Sequence, residues 1–277
     1  AAIASGDVPL WVREVLSLGR VTALKKGATG VRPLVCHEPL RRLLTRALIF
    51  DVHEDIQAHV GPNQFAVGIS GGCPAMALSV QKLAHKHRNL VFFKLDLVNA
   101  YNTQSREESL QEAAPELASF LRQFYGTPSQ YLYRLGRNDH TIITAREGIE
   151  QGDAAGPALF ACGLKRPLDE LKSALRRLVR EGDGYEADCE NEGQEGEADT
   201  PDATAVFAYL DDTIVAVPSQ HAAAAFDAAI GVFARAGHTV HPGKSGCWSL
   251  DTRRESLPPS CLRIWEPDGL LVGGIPV

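Results

Sequence analysis

Residues 90–98, LVFFKLDLV, form the strongest strand signal in the first half of the chain. Seven of these nine residues are apolar, which is typical of a central strand covered on its faces. Asp96 lies near the end of this strand, on the side-chain face shared with Phe92 and Lys94. A carboxylate is costly to bury in such a place unless it is paired or bound to a metal. Asp96 is therefore a candidate functional residue.

Two further carboxylates follow a second strand signal. The stretches AVFAYL and TIVAV predict short strands, and only Asp211 and Asp212 separate them, which predicts a tight β-hairpin with both aspartates at its tip. An Asp-Asp pair alone is more often a simple turn. Three carboxylates at the ends of neighbouring strands, however, raise one another's pKa unless a cation neutralises them. Their oxygen atoms suit Mg²⁺, and two such ions about 3.5–4 Å apart can activate a hydroxyl and stabilise a leaving phosphate.

The first quarter of the chain predicts helices and a basic loop. A helix beginning at Asp7 would have Trp11 and Val15 on its apolar face. Residues 22–36 are typical of a basic, glycine-containing loop that leads into a short strand, and residues 38–60 of one long amphipathic helix. Helices followed by strands interleaved with helices indicate an α+β fold. The inner stripe of the long helix is expected to hold Leu40, Leu43, Leu44, Ala47, Leu48 and Ile56.

The formal charge of −6 conceals an uneven distribution. Residues 181–202 contain ten acidic and no basic side chains, so the rest of the chain has 28 basic against 24 acidic residues, a charge of +4. This segment is rich in glycine and glutamate and has almost no apolar residues, so we expect a disordered insertion that loops out of the fold. The remaining, mildly basic body is compatible with a nucleic-acid partner.

Two classes of protein are excluded by composition. No apolar run approaches the roughly 20 residues that a membrane span needs, and the N-terminal AAIASGDVPLW lacks the features of a signal peptide. The six cysteines form no C-x-x-C pair, which indicates free thiols in a reducing compartment. We therefore expect neither a membrane protein nor a secreted disulfide scaffold. The absence of an initiating Met indicates a processed chain or a fragment.

Three stretches resemble the motifs of a known family. FFKLDLVNAYN (92–102), GIEQGDAAGPALF (148–160) and AYLDD (208–212) resemble, in order and approximate spacing, motifs A, B and C of reverse transcriptases. The resemblance looks closest to non-LTR, LINE-like retrotransposons. Four further stretches resemble the fingers motif, the helix that follows it, motif D and the start of motif E: VRPLVCHEPLRRLLTRAL, AVGISGGCPAMALSVQ, AGHTVHPGKSGCW and LVGGIPV.

The resemblance implies a two-metal site. Asp96 and Asp211 would bind both ions, the backbone carbonyl of Leu97 would add a ligand, and Asp212 would support the site. Two Mg²⁺ ions are the implied cofactor, with Mn²⁺ as an alternative. Lys244, in the lysine position of motif D, would protonate the leaving pyrophosphate.

The resemblance also implies a nucleotide pocket. Tyr101 falls at the steric-gate position that excludes a ribose 2′-hydroxyl. Gln151 and Gly152 would lie along the nascent base pair and the template. Each residue also has an ordinary structural explanation, such as packing of Tyr101 beneath the sheet, so the joint pattern and not any single residue favours the pocket.

Three basic residues are implied to contact the triphosphate. Either Lys25 or Lys26, together with Arg32, would bind the phosphates of the incoming nucleotide. Solvated loop charges are the alternative interpretation of both lysines. Arg32, which precedes a proline, has no special meaning outside the family context.

The implied protein is an RNA-directed DNA polymerase with the fold of a right hand. Residues 1–90 would form the fingers and residues 91–277 the palm, an antiparallel sheet backed by helices, with the thumb absent. Its partners would be an RNA template, a DNA primer, dNTPs and the rest of a retrotransposon polyprotein, including a thumb and an endonuclease. The family's life cycle implies nuclear localisation.

Two other functions stay open on the sequence alone. One is a catalytically inactive, domesticated or decayed reverse transcriptase that acts as an RNA-binding scaffold. The other is a different palm enzyme, such as a nucleotide cyclase or an RNA-dependent RNA polymerase. Tyr101 argues against the second, because an enzyme that uses ribonucleotides usually has no bulky gate at that place.

Overall fold

A computed structural model describes residues 2–27, 30–182 and 204–277, and the chain divides into two units. The first unit comprises Ala1–Pro62, Ala66–Ile69 and Asn99–Lys165, and the second comprises Asn63–Phe65, Ser70–Val98 and Arg166–Val277. Each unit is therefore assembled from three separate stretches of chain. The predicted fingers at 1–90 and palm at 91–277 are functional subdomains, and that division stays a prediction.

The first unit combines seven helices of its own with a four-stranded sheet in its described part. Its helices are α1 (Ala2–Ser5), α2 (Leu10–Ser17), α3 (Pro39–Asp51), α4 (His53–Val60), α6 (Ala100–Thr103), α7 (Arg106–Gln111) and α8 (Pro115–Tyr125). Its strands are β1 (Gly19–Lys26), β2 (Gly30–Cys36), β4 (Ser129–Arg134) and β5 (His140–Ala145). Helix α9 (Gly156–Gly182) contributes residues to both units.

The sheet of the first unit has the order β2-β1-β4-β5, with β1 antiparallel to β2 and parallel to β4. The prediction of a loop leading into a short strand at 22–36 was therefore right for the strand, which is β2, and wrong for the loop, because residues 22–26 belong to β1. Gly27, with a φ of 64°, lies directly after β1 and adopts a left-handed conformation that favours glycine. The four strands contain five Lys or Arg residues and no Asp or Glu.

Two helix predictions need correction. The segment 38–60 is two helices, α3 and α4, separated at Val52. Its predicted inner stripe was wrong in part, because Leu40, Leu43 and Ala47 are exposed, whereas Arg41 is buried. The reason is a set of polar partners for Arg41, described below, that no apolar pattern reveals.

The first predicted helix also differs from its expectation. Helix α2 begins after Pro9 and not at Asp7, and no side chain caps it. Of its apolar residues only Leu16 is buried, whereas Trp11 and Val15 are largely exposed. The amphipathic pattern therefore predicted the helix but not the face that packs.

The second unit is built around another four-stranded sheet. Its strands are β3 (Leu90–Leu95), β6 (Ala205–Tyr209), β7 (Asp212–Pro218) and β8 (Gly246–Ser249), and a small hairpin joins β9 (Leu271–Val272) to β10 (Ile275–Pro276). Its further helices are α5 (Gly72–Lys86), α10 (Ala222–Arg235), α11 (Pro259–Leu262) and the 3₁₀ helices Ser219–His221 and Arg254–Ser256.

The sheet order is β6-β7-β3-β8 and every neighbouring pair is antiparallel. One face packs on α5, where Phe92 and Ile214 join Met76 and Val80 in a buried cluster. On the other face Phe93 stacks on Phe226 of α10, with ring centroids 5.2 Å apart. Both faces of β3 are thus covered, which explains its nearly continuous apolar sequence. The predicted α+β fold with an antiparallel sheet backed by helices is confirmed.

Three further predictions concern the rest of the chain. Glu181 and Gly182 complete helix α9, so the predicted disorder does not extend to them, and the remainder of the acidic insertion lies outside the described residues. The five described cysteines are free thiols, and Cys189 falls outside the described ranges. Within 2–27, 30–182 and 204–277, no helix has the length and apolar character required to cross a membrane.

Candidate active site

The predicted metal ligands lie at one end of the sheet in the second unit. Strand β3 pairs with β7 from Leu90 opposite Pro218 to Leu95 opposite Thr213. One step further along the same antiparallel register, Asp96 falls opposite Asp212. Asp96 is half-buried and Asp211 is exposed. The fold therefore brings together carboxylates that are more than 110 residues apart in the sequence.

The hairpin between β6 and β7 is shifted by one residue from its prediction. Tyr209 pairs with Asp212, so the two-residue turn consists of Leu210 and Asp211, and Asp212 is the first residue of β7. Leu210 has a φ of 55°, a left-handed conformation that is uncommon for a residue other than glycine. Its N–H donates to Oε1 of the buried Gln64 at 2.9 Å. Gln64 thereby supports the turn that carries Asp211.

The backbone of Asp96 is bound to the turn that contains Lys244. The N–H of His241 donates to the carbonyl of Asp96 at 2.7 Å, and the N–H of Asp96 donates to Oγ of Ser245 at 3.3 Å. Ser245 Oγ in turn donates to the carbonyl of His241 at 2.9 Å. The exposed Lys244 thus lies on a short turn that is hydrogen-bonded to the backbone of Asp96.

The orientation of the next backbone group favours the predicted carbonyl ligand. Leu97 forms an antiparallel bridge with Val240 in which the bonds run from Val98 N–H to Thr239 and from His241 N–H to Asp96. In such a pair the N–H and C=O of the bridged residue point away from the partner segment. The Leu97 carbonyl therefore points to the side of β3 on which β7 lies, as a ligand shared with Asp211 requires.

Lys94 is a member of the site that the sequence reasoning did not assign. Its Nζ lies 3.6 Å from Oδ1 of Asp212 and donates to the carbonyl of Leu271 at 2.8 Å. The ammonium group offsets part of the negative charge at this end of the sheet and connects it to β9. A lysine two residues before Asp96, on the same face of β3, was the signal that could have indicated this role.

The oxygen atoms fit a divalent cation in kind, since carboxylate and carbonyl oxygens are the ligands that Mg²⁺ and Mn²⁺ prefer. Like charges repel at short range, and Lys94 attracts Asp212. The sheet thus sets the backbone positions of the carboxylates, and a divalent ion bound between them would offset their mutual repulsion.

A second group of predicted residues lies in the first unit, around the turn 150–153. The N–H of Val35 in β2 donates to the carbonyl of Gln151 at 2.7 Å. Gly152 has a φ of 106°, and a Cβ at this position would collide with the carbonyl oxygen of Val35. Only glycine satisfies both conditions. Gln151 and Gly152 are therefore fixed against the strand that contains Arg32.

Tyr101 is joined to the same turn. Its carbonyl accepts a hydrogen bond from the N–H of Ile149 at 2.7 Å. Its ring stacks on that of Phe160 in α9 and is half-buried. The structure thus brings together Tyr101, the turn with Gln151 and Gly152, and strand β2.

The two candidate lysines differ in the face that they occupy. Leu24 is opposite Arg32 across β1 and β2, and Lys25 is opposite Val31. Because side chains alternate along a strand, Lys26 shares the face of Leu24 and Arg32, whereas Lys25 is on the opposite face. Lys26 is therefore the better partner for Arg32, and both lysines belong to a strand and not to a loop.

Four buried polar residues in the first unit were missed by the sequence reasoning. His37, Arg41, Glu150 and Asp153 are each at most 6% exposed. Arg41 Nη2 donates to Glu150 at 3.1 Å and to Asp153 at 2.5 Å, and Nη1 lies 2.9 Å from Nδ1 of His37. Since a guanidinium can only donate, Nδ1 accepts and the His37 proton resides on Nε2, 2.6 Å from Glu150. We call these four side chains the Arg41 cluster.

The environment of the Arg41 cluster shifts several pKa values. Burial alone would raise the pKa of Glu150, but the hydrogen bond from His37 and the charge of Arg41 lower it well below its usual value. Burial disfavours charge on Arg41, yet the two carboxylates raise its pKa. Burial and the nearby carboxylates raise the pKa of Tyr125. Arg41 and Glu150 therefore form a buried ion pair, and the Tyr125 hydroxyl beside it stays neutral.

The chain matches the model of a known protein family. The model of "Reverse transcriptase (RNA-dependent DNA polymerase)" matches residues 23–255. A search of curated proteins finds no significant match.

Solved structures with a similar fold include three structures of telomerase from two Candida species. Apo telomerase from Candida tropicalis, truncated from its C-terminal domain, is 10% identical, with a TM-score of 0.57 and coverage of 86% of this chain and 51% of that one. Apo telomerase from the same organism is 9% identical, with a TM-score of 0.56 and coverage of 85% and 44%. Candida albicans telomerase with a fragment of telomeric RNA is 9% identical, with a TM-score of 0.53 and coverage of 89% and 44%.

This likeness shows the fold alone, and the chain spans about half or less of the length of those proteins. The family match, in contrast, covers most of the chain and includes Asp96, Gln151, Asp211 and Lys244. The resemblance noted from the motifs is confirmed at this level: the chain belongs to the reverse transcriptase (RNA-dependent DNA polymerase) family.

Proposed function

We propose that this chain is the reverse transcriptase domain of a non-LTR retrotransposon. It would transfer a nucleotide from a dNTP to the 3′-hydroxyl of a DNA primer on an RNA template. The observation that carries the proposal is the register of β3 and β7, which places Asp96 opposite Asp212 beside Asp211. The non-LTR assignment is supported by the motif sequences quoted above.

Two divalent ions fit the donor set of Asp96, Asp211 and the Leu97 carbonyl. When bound, such ions activate the attacking hydroxyl and stabilise the charge on the leaving phosphate. The protein's own contribution is to hold the carboxylates at the sheet end and to place Lys244, whose turn is bonded to Asp96, where it can donate a proton to pyrophosphate.

The sheet of the first unit supports a nucleic-acid and nucleotide partner. A chain with a formal charge of −6 has here a sheet with five basic and no acidic residues. Such a surface attracts phosphates. Lys26 and Arg32, which share one face of the sheet, would bind the triphosphate of the incoming nucleotide. Tyr101, beside the turn 150–153, would exclude nucleotides that have a ribose 2′-hydroxyl. The solved Candida albicans telomerase, which contains a telomeric RNA fragment, supports RNA as a partner of this fold.

Primer extension tests the proposal directly. The chain is incubated with a DNA primer on an RNA template, Mg²⁺ and dNTPs, beside the variants Asp211→Asn and Asp227→Asn. Asp227 is an exposed residue of α10 and serves as the matched control. We expect extension by the wild type and by Asp227→Asn, and its loss in Asp211→Asn.

Two other outcomes would contradict the proposal to different degrees. Mg²⁺ binding that depends on Asp96 and Asp211 without extension would support the metal site and contradict polymerase activity of this chain on its own. RNA binding with neither extension nor metal binding would favour the scaffold.

A further inference from the structure

The Arg41 cluster presents an energetic question that the proposed polymerase chemistry does not answer. Removing charged side chains from water costs free energy, and a buried ion pair often stabilises a fold no more than apolar residues of similar volume. Arg41 and Glu150 are almost fully buried. Apolar residues could equally hold helix α3 in place. The polar side chains of the Arg41 cluster are therefore better explained by a need to fix the residues that they contact in one geometry.

The geometry that the cluster defines is that of the turn 150–153. Arg41 Nη2 contacts the carboxylates of both Glu150 and Asp153, which are the first and last residues of the turn. The two residues between them are Gln151 and Gly152. A guanidinium presents its donors in a rigid plane, so these contacts fix both ends of the turn relative to α3.

Both carboxylates also accept hydrogen bonds from donors other than Arg41. Tyr131 Oη donates to Glu150 Oε1 at 2.8 Å, and Tyr125 Oη donates to Asp153 Oδ2 at 3.0 Å. The N–H of Ala155 donates to Asp153 Oδ1 at 2.9 Å. The guanidinium itself lies 4.2 Å from the ring centroid of Phe124. Each member of the cluster is thus held in place by several independent contacts.

A displacement of this turn would be transmitted to the nucleotide pocket. The carbonyl of Gln151 accepts from Val35, and Gly152 has no room to move toward the Val35 carbonyl. Arg32 lies three residues earlier in the same strand. The Arg41 cluster therefore connects to Gln151, Gly152 and Arg32 without being part of the pocket.

A metal ion is the other explanation for such a group. The ligand atoms of His37, Glu150 and Asp153 lie within 4.8 Å of one another, a spacing that can hold a cation. Arg41, however, already donates to both carboxylates and to Nδ1 of His37. The position of a cation is therefore filled by the guanidinium of the chain itself.

We propose that Arg41 is a positioning residue, the fixed cation that sets the turn 150–153 and thereby places Gln151 and Gly152 against β2. The inference rests on the proposed function in one respect: Gln151 and Gly152 matter because they line the pocket for the templated nucleotide. Arg41 itself does not contact the reactants in this scheme.

Hydrogen–deuterium exchange tests the positioning role without any need for activity. The full chain is compared with Arg41→Lys, Arg41→Met and the matched control Arg42→Met, whose arginine is exposed on the same helix. Arg41→Lys retains the positive charge but removes the planar guanidinium with its fixed donor directions. This variant therefore remains informative if Arg41→Met does not fold. We expect exchange at the amides of Val35 and residues 151–156 to become about tenfold faster in the Arg41 variants, with the rest of the unit unchanged. Arg42→Met should exchange like the wild type.

Primer-extension kinetics provide a second test, because general destabilisation of the chain would not change KM for the dNTP and leave kcat almost unchanged. We expect Arg41→Lys to raise KM for the templated dNTP several-fold while kcat stays within about twofold. Wild-type exchange at Val35 and the turn in a folded Arg41 variant would overturn the proposal, and so would faster exchange spread evenly over the unit. If the wild type shows no polymerase activity, the proposed function fails but the exchange result still decides the role of Arg41.

Discussion

The ring of Tyr101 lies flat on the ring of Phe160, with centroids 4.3 Å apart and planes inclined by only 3°. Phe160 is completely buried in α9, whereas Tyr101 is half-buried. The buried Phe160 ring therefore packs against one face of the Tyr101 ring and sets its plane. If Tyr101 is the steric gate, its ability to exclude a 2′-hydroxyl depends on this support.

The first prediction concerns sugar discrimination. Phe160→Leu removes the flat surface beneath Tyr101, and an aromatic pair is worth about 0.5–1.5 kcal/mol beyond its buried area. We expect the ratio of kcat/KM for a dNTP to that for the matching rNTP to fall roughly two- to tenfold. Tyr101→Val should lower the ratio further. Single-nucleotide extension with each substrate measures both.

Phe233→Leu is the matched control for that experiment, because Phe233 is equally buried but belongs to α10 in the second unit. It should reduce stability without changing the substrate ratio. An unchanged ratio in Phe160→Leu would remove the supporting role of Phe160, and an unchanged ratio in Tyr101→Val would remove the gate assignment.

The second prediction concerns Gly152. Alanine at this position meets both an unfavourable φ of 106° and the carbonyl oxygen of Val35. Gly71→Ala is a suitable control, because Gly71 has a φ of 64° but open space around it. We expect Gly71→Ala to lower the free energy of unfolding by about 1 kcal/mol and Gly152→Ala by clearly more. Urea unfolding of both variants measures the two free energies of unfolding. Equal losses of this free energy would show that the turn can move away from β2.

The third prediction concerns the support of the hairpin between β6 and β7, which contains Asp211. Gln64→Leu removes the acceptor of the Leu210 N–H, and leaving a buried donor without its acceptor costs about 1–3 kcal/mol. We expect that loss in the free energy of unfolding, together with a lower kcat. The exposed Gln220→Leu provides the comparison. Wild-type stability and kcat in Gln64→Leu would mean that the turn holds its conformation without Gln64.

The fourth prediction is a pH dependence of stability that arises in the Arg41 cluster. The pKa of Glu150 is lowered in the folded chain by His37 and Arg41, against the opposing effect of burial. A lowered folded pKa contributes stability that is present above the unfolded value, about 4.3 for Glu, and is lost as the pH falls toward the folded value. Tyr125 and Tyr131, the other groups that face the carboxylates, stay neutral over this range.

Glu150→Gln should therefore lose stability less steeply than the wild type as the pH falls below about 4.5. The exposed Glu147→Gln, three residues earlier, should behave like the wild type. Chemical unfolding at a series of pH values from 6 downward measures the slopes. Parallel curves for the wild type and Glu150→Gln would contradict the lowered pKa.

The sequence was sufficient for the parts of the fold that follow a local pattern. The apolar run around Phe92 predicted β3, and the spacing of two strands around Asp211 predicted the hairpin to within one residue. A local signal also explains the start of α7, where Ser105 Oγ accepts from the Glu108 N–H at 3.2 Å. In each of these cases the signal resides in neighbouring residues.

Features that depend on distant partners could not be predicted in this way. The burial of Arg41 has no local signal, because its partners Glu150 and Asp153 are more than 100 residues away. Residues 22–26 of β1 were predicted as part of a basic loop, and the parallel pairing of β1 with the distant strand β4 has no local sequence signal. The turn of the hairpin is bonded to Gln64, a distant residue that no local turn rule includes.

The division of each unit into three stretches has a consequence for synthesis and for fragment design. The first unit cannot close before residue 165 has left the ribosome, and the second requires strand β8 near residue 249 and the hairpin that follows it. A cut between residues 70 and 165 severs both units at once. Separately expressed halves of this chain should therefore behave as folding-incompetent pieces that become ordered only when mixed, and the chain is better suited to split-protein complementation than to dissection into independent domains.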